Sequence, residues 1–263
     1  MSFYDQSAFN LRCEWGTKGV VQLAPISDVV IIVDVLSFST CVEIATSRGA
    51  IVFPCIWQQQ AAQEFAISVE AELALRRGDQ SNGSLGNWSN GSLGDTPTGT
   101  LRNRGASNQY SLSPQSLCQI PCGTRLVLPS PNGSTLSLAT GETPTLAGCL
   151  RNCQAVAAAA TNYGSRIAVI PAGEKWDDGS LRPSYEDWIG AGAILSYLTG
   201  HVSPEAESAI AAFRHAAPTL NHHLKQCGSG KELMGKGFES DVDLAAEFNV
   251  SEGVPILHDR AYR

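Results

Sequence analysis

The sequence is short of charge. Asp, Glu, Lys and Arg make up 16% of its 263 residues, against about 25% in an average globular domain. Basic residues are the scarcer kind: 18 Lys and Arg face 25 Asp and Glu, for a net charge of −7. That balance argues against a nucleic-acid or anionic-membrane surface as the general partner. Long apolar runs are missing too. Val29–Val33 is a five-residue run, far below the ~20 residues that a membrane helix needs. The N-terminal stretch MSFYDQSAFNLRCEWG has no basic segment leading into an apolar one, so no signal peptide is expected and the protein is read as cytoplasmic. The five His all lie beyond residue 200, which leaves little for a histidine-based metal site. Several motifs are absent. Gly230-Lys231 lacks the first Gly of a phosphate-binding P-loop, having Lys225 there. No G-x-G-x-x-G follows a strand, and neither H-E-x-x-H nor G-x-S-x-G occurs.

Hydrophobic residues are ample, at 43%, enough for a sizeable core. DVVIIVDVL (28–36) is an apolar, β-branched run, the pattern of a central parallel strand buried on both faces. A helical pattern follows over 39–48, a strand over 51–55 and a helical composition over 58–77. Composition changes at Gly78: residues 79–110 are rich in Ser, Gly and Asn, and Ser-Asn-Gly-Ser-Leu-Gly occurs twice, at 81–86 and 89–94. Two copies are too few for a solenoid, and the segment reads as an inserted loop grown by duplication. Strands then resume at 124–130, 143–150, 166–173 and 253–257, alternating with helices at 151–163, 184–198, 204–214 and 217–226. The expectation is α/β: a single domain over 1–263 with a mostly parallel sheet flanked by helices, plus that long insertion.

Eight Cys are present. Cys118/Cys122 and Cys149/Cys153 have C-x3-C spacing, looser than the usual zinc knuckle, so buried thiols are the plainer reading and a zinc site the sharper one.

Open parallel sheets collect ligands at the carboxyl ends of their strands. Four stretches fall there. Asp34 ends the first apolar strand, and a carboxylate in that position needs a partner; Ser37, Ser39 and Thr40 follow at a helix start that favours anions. Ser130, Asn132, Gly133 and Ser134 form a turn before a helix, either a plain cap or an anion nest. Gly173-Glu174 follow the 166–171 stretch. Glu186 and Asp187 open the 184–198 helix, where Ser184 and Asp187 fit a capping box and Glu186 is left over. Glu239, Asp241 and Asp243 read as a solvated acidic face.

These pieces together resemble the 2-phosphosulfolactate phosphatase family. The resemblance rests on VDVLSFST (33–40), SPNGST (130–135), GCLRNCQAVA (148–157), VIPAG (169–173), SYEDWIGAGAI (184–194), GKGFESDVDLA (235–245) and GVP (253–255). It implies a Mg²⁺-dependent phosphatase of coenzyme M biosynthesis acting on a small anionic phosphate ester. Asp34, Glu186 and Asp187 would be catalytic, and Asp34 and Asp187 would hold Mg²⁺. Ser37, Ser39, Thr40, Ser130, Asn132, Gly133 and Ser134 would bind the substrate. No nucleic acid or membrane is implied, and a homo-oligomer is left open. Ser37 stands where the family usually carries Arg, and Arg76, Arg77 and Arg125 are candidates to replace it. That departure keeps a second reading alive: a non-catalytic or altered-specificity small-anion binding protein on the same fold.

Overall fold

A computed structural model describes residues 4–56, 58–77 and 110–263. In chain order its elements begin with β1 (Leu11–Cys13), α1 (Gly16–Leu23), β2 (Val29–Val33), α2 (Phe38–Ser47), β3 (Ile51–Cys55), α3 (Gln59–Ser68) and β4 (Glu72–Leu73). After the undescribed segment come α4 (Pro114–Leu117), β5 (Arg125–Pro129), α5 (Gly133–Ala139), β6 (Thr145–Gly148), α6 (Cys153–Ala160) and β7 (Ile167–Pro171). Next are β8 (Glu174–Lys175), β9 (Leu181–Arg182), α7 (Tyr185–Leu195), α8 (Pro204–Ala216), α9 (Leu220–Gln226), α10 (Gly228–Gly235) and α11 (Glu239–Ala245). The chain closes with the hairpin strands β10 (Ile256–His258) and β11 (Ala261–Tyr262).

The main sheet has the order β1-β7-β2-β6-β10-β11-β3-β5-β4. Two parallel blocks, β1-β7-β2-β6 and β3-β5-β4, are joined by the antiparallel β10-β11 hairpin. The sheet is therefore α/β and mostly parallel, as the alternating pattern implied. Alternate side chains point to opposite faces, and β2 and β7 are covered by helices on both, so neither carries a polar residue. Val29, Ile31 and Val33 of β2 face one helical layer, with α6, α7 and α8. Val30 and Ile32 face the other, with α1 and α5. In the second block Leu126 and Leu128 pack with α2 and α4, while Val127 packs with Phe53 and α3. Gly190 and Gly192 break no helix. A Cβ at Gly192 would lie 2.0 Å from the Ala209 carbonyl oxygen, so α7 and α8 pack too closely there for any larger residue.

Some boundaries differ from the sequence reading. The helix expected over 58–77 stops at Ser68, and β4 and Leu75 extend the sheet edge instead. Here sheet pairing overrides the helical propensity of Glu, Ala and Leu. The short elements β1, α1, α4 and α10 are not among those the sequence pattern predicts. The duplicated 81–94 stretch lies outside the described residues. Its flanks meet: Leu75 N–H donates to the Tyr110 carbonyl at 2.9 Å, and Leu112 N–H to that of Leu75 at 3.2 Å. Among the described residues no helix is long and apolar enough to cross a membrane.

Candidate active site

Asp34 follows directly on β2 and is 4% exposed. Its two oxygens accept backbone N–H bonds from Phe38 (3.1 Å), at the start of α2, and Gly133 (2.8 Å), at the start of α5. Two helix N-termini thus converge on one carboxylate, the end that favours negative charge. Burial nevertheless pushes the acid up to about 6, with repulsion from Glu186 adding to it, against the pull of the two N–H groups and Arg77. Gly133 is required: a Cβ there would lie 2.2 Å from the Phe38 ring and 2.8 Å from Asp34 Oδ2.

Three more acids join it. Glu174, at the turn after β7, accepts a bond from Asn132 Nδ2 at 2.8 Å. Its burial and the charge on Asp34 push it up to about 7. Glu186 is 2% exposed and accepts from Cys227 Sγ at 3.3 Å. Burial, with the charges on Glu186 and Asp34, raises Asp187 well above the ordinary carboxyl range. Asp187 has little left to offer a ligand: Oδ1 accepts from Val35 N–H at 2.7 Å and Oδ2 from Gly173 N–H at 2.9 Å. It fastens the chain after β2 to the chain after β7. The capping box expected at Ser184 does not form. Ser184 Oγ makes no bond to the first turn of α7 and donates to the Arg182 carbonyl instead, because Asp187 turns inward to those two amides.

The hydroxyls divide in two. Ser39 Oγ donates to the Ile32 carbonyl, Thr40 to that of Val35 and Ser134 to that of Leu128; all three are buried and brace the turns. The amides of the expected anion nest are likewise engaged: Gly133 N–H bonds Asp34, and Asn132 N–H bonds Ser130 Oγ at 3.2 Å. Ser37 differs, since Arg77 Nη2 donates to its hydroxyl. Arg77, one of the candidates to replace the family arginine, is held by Asp241 at 3.2 Å and lies over the Phe238 ring. Asp241 is accordingly no solvated surface acid. It is fully buried, and also accepts from Ser113 Oγ and Gln115 N–H. Arg76 forms contacts of its own, and Arg125 points elsewhere, bonding the Val69 carbonyl.

Sequence reasoning placed Glu174 at a strand end without giving it a role. It missed Cys227, which caps α10 through a bond from Gly230 N–H at 3.3 Å. Nothing in the local sequence signals that contact, since Cys227 and Glu186 are 41 residues apart.

Among the described residues no group of three or more His, Cys, Asp or Glu is arranged to hold a metal ion, so the two C-x3-C pairs do not assemble into a zinc site. Mg²⁺ asks for less. It takes one or two carboxylates and fills its octahedron with water and substrate oxygens. Asp34 and Asp187 each have both oxygens on backbone amides, whereas Glu186 accepts from a thiol on Oε2, so Glu186 is the acid of the three least engaged by the backbone.

A family model described as 2-phosphosulpholactate phosphatase matches residues 106–260. The chain belongs to this family. The matched stretch holds Asn132, Gly133, Glu174, Glu186 and Asp187, whereas Asp34, Ser37 and Arg77 precede it. The chain is 30% identical over 137 residues to the 2-phosphosulfolactate phosphatase of Methanothermobacter thermautotrophicus, covering 52% of this chain and 58% of that protein. It is also 30% identical over 139 residues to the probable 2-phosphosulfolactate phosphatase of Carboxydothermus hydrogenoformans, covering 52% and 56%. The match thus spans a little over half the length of each phosphatase.

Proposed function

We propose that this protein is a phosphatase that hydrolyses a small acidic phosphate ester with the help of Mg²⁺. The names of its relatives make 2-phosphosulfolactate the leading candidate, with sulfolactate and phosphate as products, and the family resemblance adds a place in coenzyme M biosynthesis. The observation that carries this reading is the carboxylate cluster of buried Asp34, Glu186 and Asp187 with half-buried Glu174, in which Asp34 and Glu174 are pushed up to about 6 and 7. An acid that titrates near working pH is suited to general base catalysis.

In this reading Glu174, oriented by Asn132, takes a proton from the attacking water. Asp34 and Glu186 hold the metal. When bound, Mg²⁺ would offset the charge of the phosphate and of the carboxylates around it. Arg77 and Ser37 provide the cation and hydroxyl for the phosphate oxygens. Asp187 keeps the backbone after β2 and after β7 in register, which sets Asp34 against Glu174.

The test is phosphate release from a panel of phosphate esters, 2-phosphosulfolactate among them, with and without Mg²⁺. Magnesium-dependent release that falls by about 10³ in Asp34→Asn is expected, the loss of the several kcal/mol that a held metal contributes. Stabilisation by anions with no turnover on any ester would overturn the reading in favour of a binding protein.

A further inference from the structure

Glu186 is held differently from the aspartates beside it. It is the second residue of α7 and buried. Asp34 and Asp187 are fixed by backbone amides on both oxygens. Among the described residues Glu186 has one hydrogen-bond donor, the Cys227 thiol at 3.3 Å from Oε2. Its Oε1 accepts no hydrogen bond there, and neither oxygen has an ion-pair partner. The orientation of this carboxylate therefore depends on one side chain from another element.

That sulfur is itself well fixed. Cys227 joins α9 to α10, and Sγ accepts the Gly230 N–H at 3.3 Å, capping α10. The Leu224 carbonyl oxygen lies 3.0 Å from Sγ. Gly230 permits this close packing: a Cβ there would lie 1.8 Å from the Leu224 carbonyl oxygen and 3.3 Å from Sγ. A thiol carries one proton, so it serves either Glu186 or Leu224 at a given moment. A charged acceptor roughly doubles the strength of a hydrogen bond, which favours ionised Glu186 over the neutral carbonyl.

Taking the phosphatase reading and its metal as a basis, we infer that Cys227 is a positioning residue for Glu186: its S–H holds Oε2 and leaves Oε1 as the oxygen offered to Mg²⁺. The thiol acts through Glu186 and has no part in the chemistry itself. A thiol is a weak donor, so it steers the carboxylate without competing strongly with a cation. Groups that orient a metal ligand from behind typically cost about 10–100-fold in metal affinity when they are removed.

The experiment has two arms, both on the full chain. In the first, Mg²⁺ is titrated calorimetrically. Cys227→Ala should bind it about tenfold more weakly, and Cys227→Ser should recover most of that loss, because a hydroxyl also donates. Cys149→Ala removes another buried thiol, one that bonds Asn152 Oδ1, and should leave the affinity unchanged. In the second arm the S–H stretch of Cys227 is isolated in metal-free protein as the infrared difference between the unaltered chain and Cys227→Ser. Glu186→Gln should move that band to higher frequency, since a neutral amide is the weaker acceptor. This arm needs no alanine variant, so it stands whether or not Cys227→Ala folds. Magnesium affinity untouched by Cys227→Ala, an equal loss in the alanine and serine variants, or a band unmoved by Glu186→Gln overturns the positioning role and leaves the phosphatase reading in place. No Mg²⁺ binding by the unaltered protein removes both.

Discussion

Two sets of buried or half-buried acids behave in opposite ways. Glu43 and Asp241 are 1% and 0% exposed, as deep as any acid in the candidate site. Each has a guanidinium: Arg151 Nε lies 2.6 Å from Glu43, and Arg77 Nε 3.2 Å from Asp241. Asp34, Glu174, Glu186 and Asp187 have no ion-pair partner among the described residues. Backbone amides, one side-chain amide and a thiol serve them instead. A buried charge left without a counter-charge resists ionisation, and three of these acids are raised accordingly. The fold thus neutralises its structural acids from within and leaves the site acids to be neutralised by a proton, a cation or the substrate's surroundings. Such clusters are where chemistry is expected.

The sharpest way to break this contrast is to remove charge from each set. Asp34→Asn should lose about 10³-fold in kcat, as expected for a group that holds the metal, measured by phosphate release, with a modest fall in its thermal unfolding midpoint because the amide keeps one acceptor for the Phe38 and Gly133 N–H groups. Arg151→Met should do the reverse, leaving Glu43, among the described residues, with Ser47 Oγ at 3.0 Å. Stripping one partner from a buried pair costs about 3–5 kcal/mol, which for a domain of this size is roughly 10 °C by calorimetry. Residual activity below the melting range should stay near normal.

A smaller effect is expected for Glu174→Gln: about 10² in kcat, with loss of the inflection near pH 7 in the rate profile. The same acid makes stability pH-dependent. Its folded pKa of about 7 lies above the ordinary value of 4.5, so between those values the folded state binds more protons than the unfolded one, and stability falls as pH rises through that window. In metal-free protein the unfolding midpoint should therefore drop from pH 5 to pH 8, and the drop should be smaller in Glu174→Gln.

Ser134→Ala should matter least. Its hydroxyl braces the Leu128 carbonyl at 2.9 Å, so about 1 kcal/mol of stability is expected to go with kcat within twofold. A large loss of turnover would restore Ser134 to the substrate.

What was legible in the sequence follows from range. The strands β2, β5 and β7 were plain because each is buried on both faces and reads as an uninterrupted apolar run. Asp34 stood out because it breaks such a run at a strand end. The roles within the site were less plain, because they depend on where hydrogen bonds end. Asp187 carried the signature of a capping box, and only the approach of the Val35 and Gly173 amides diverts it. Asp241 resembled its exposed neighbours Glu239 and Asp243, which hold Lys225 at the surface, and nothing local shows that Arg77 reaches it from far along the chain. The antiparallel hairpin between the two parallel blocks was equally hidden, since strands of two and three residues carry no usable period.

The contrast between the two sets of acids is tested most directly by titration of individual carboxyl carbons, followed by NMR in metal-free protein. Midpoints of about 6 for Asp34 and about 7 for Glu174 are expected, with the Glu174 midpoint moving down in Asp34→Asn as the neighbouring charge is removed. Midpoints near 4 for both, unmoved by that substitution, would contradict the account.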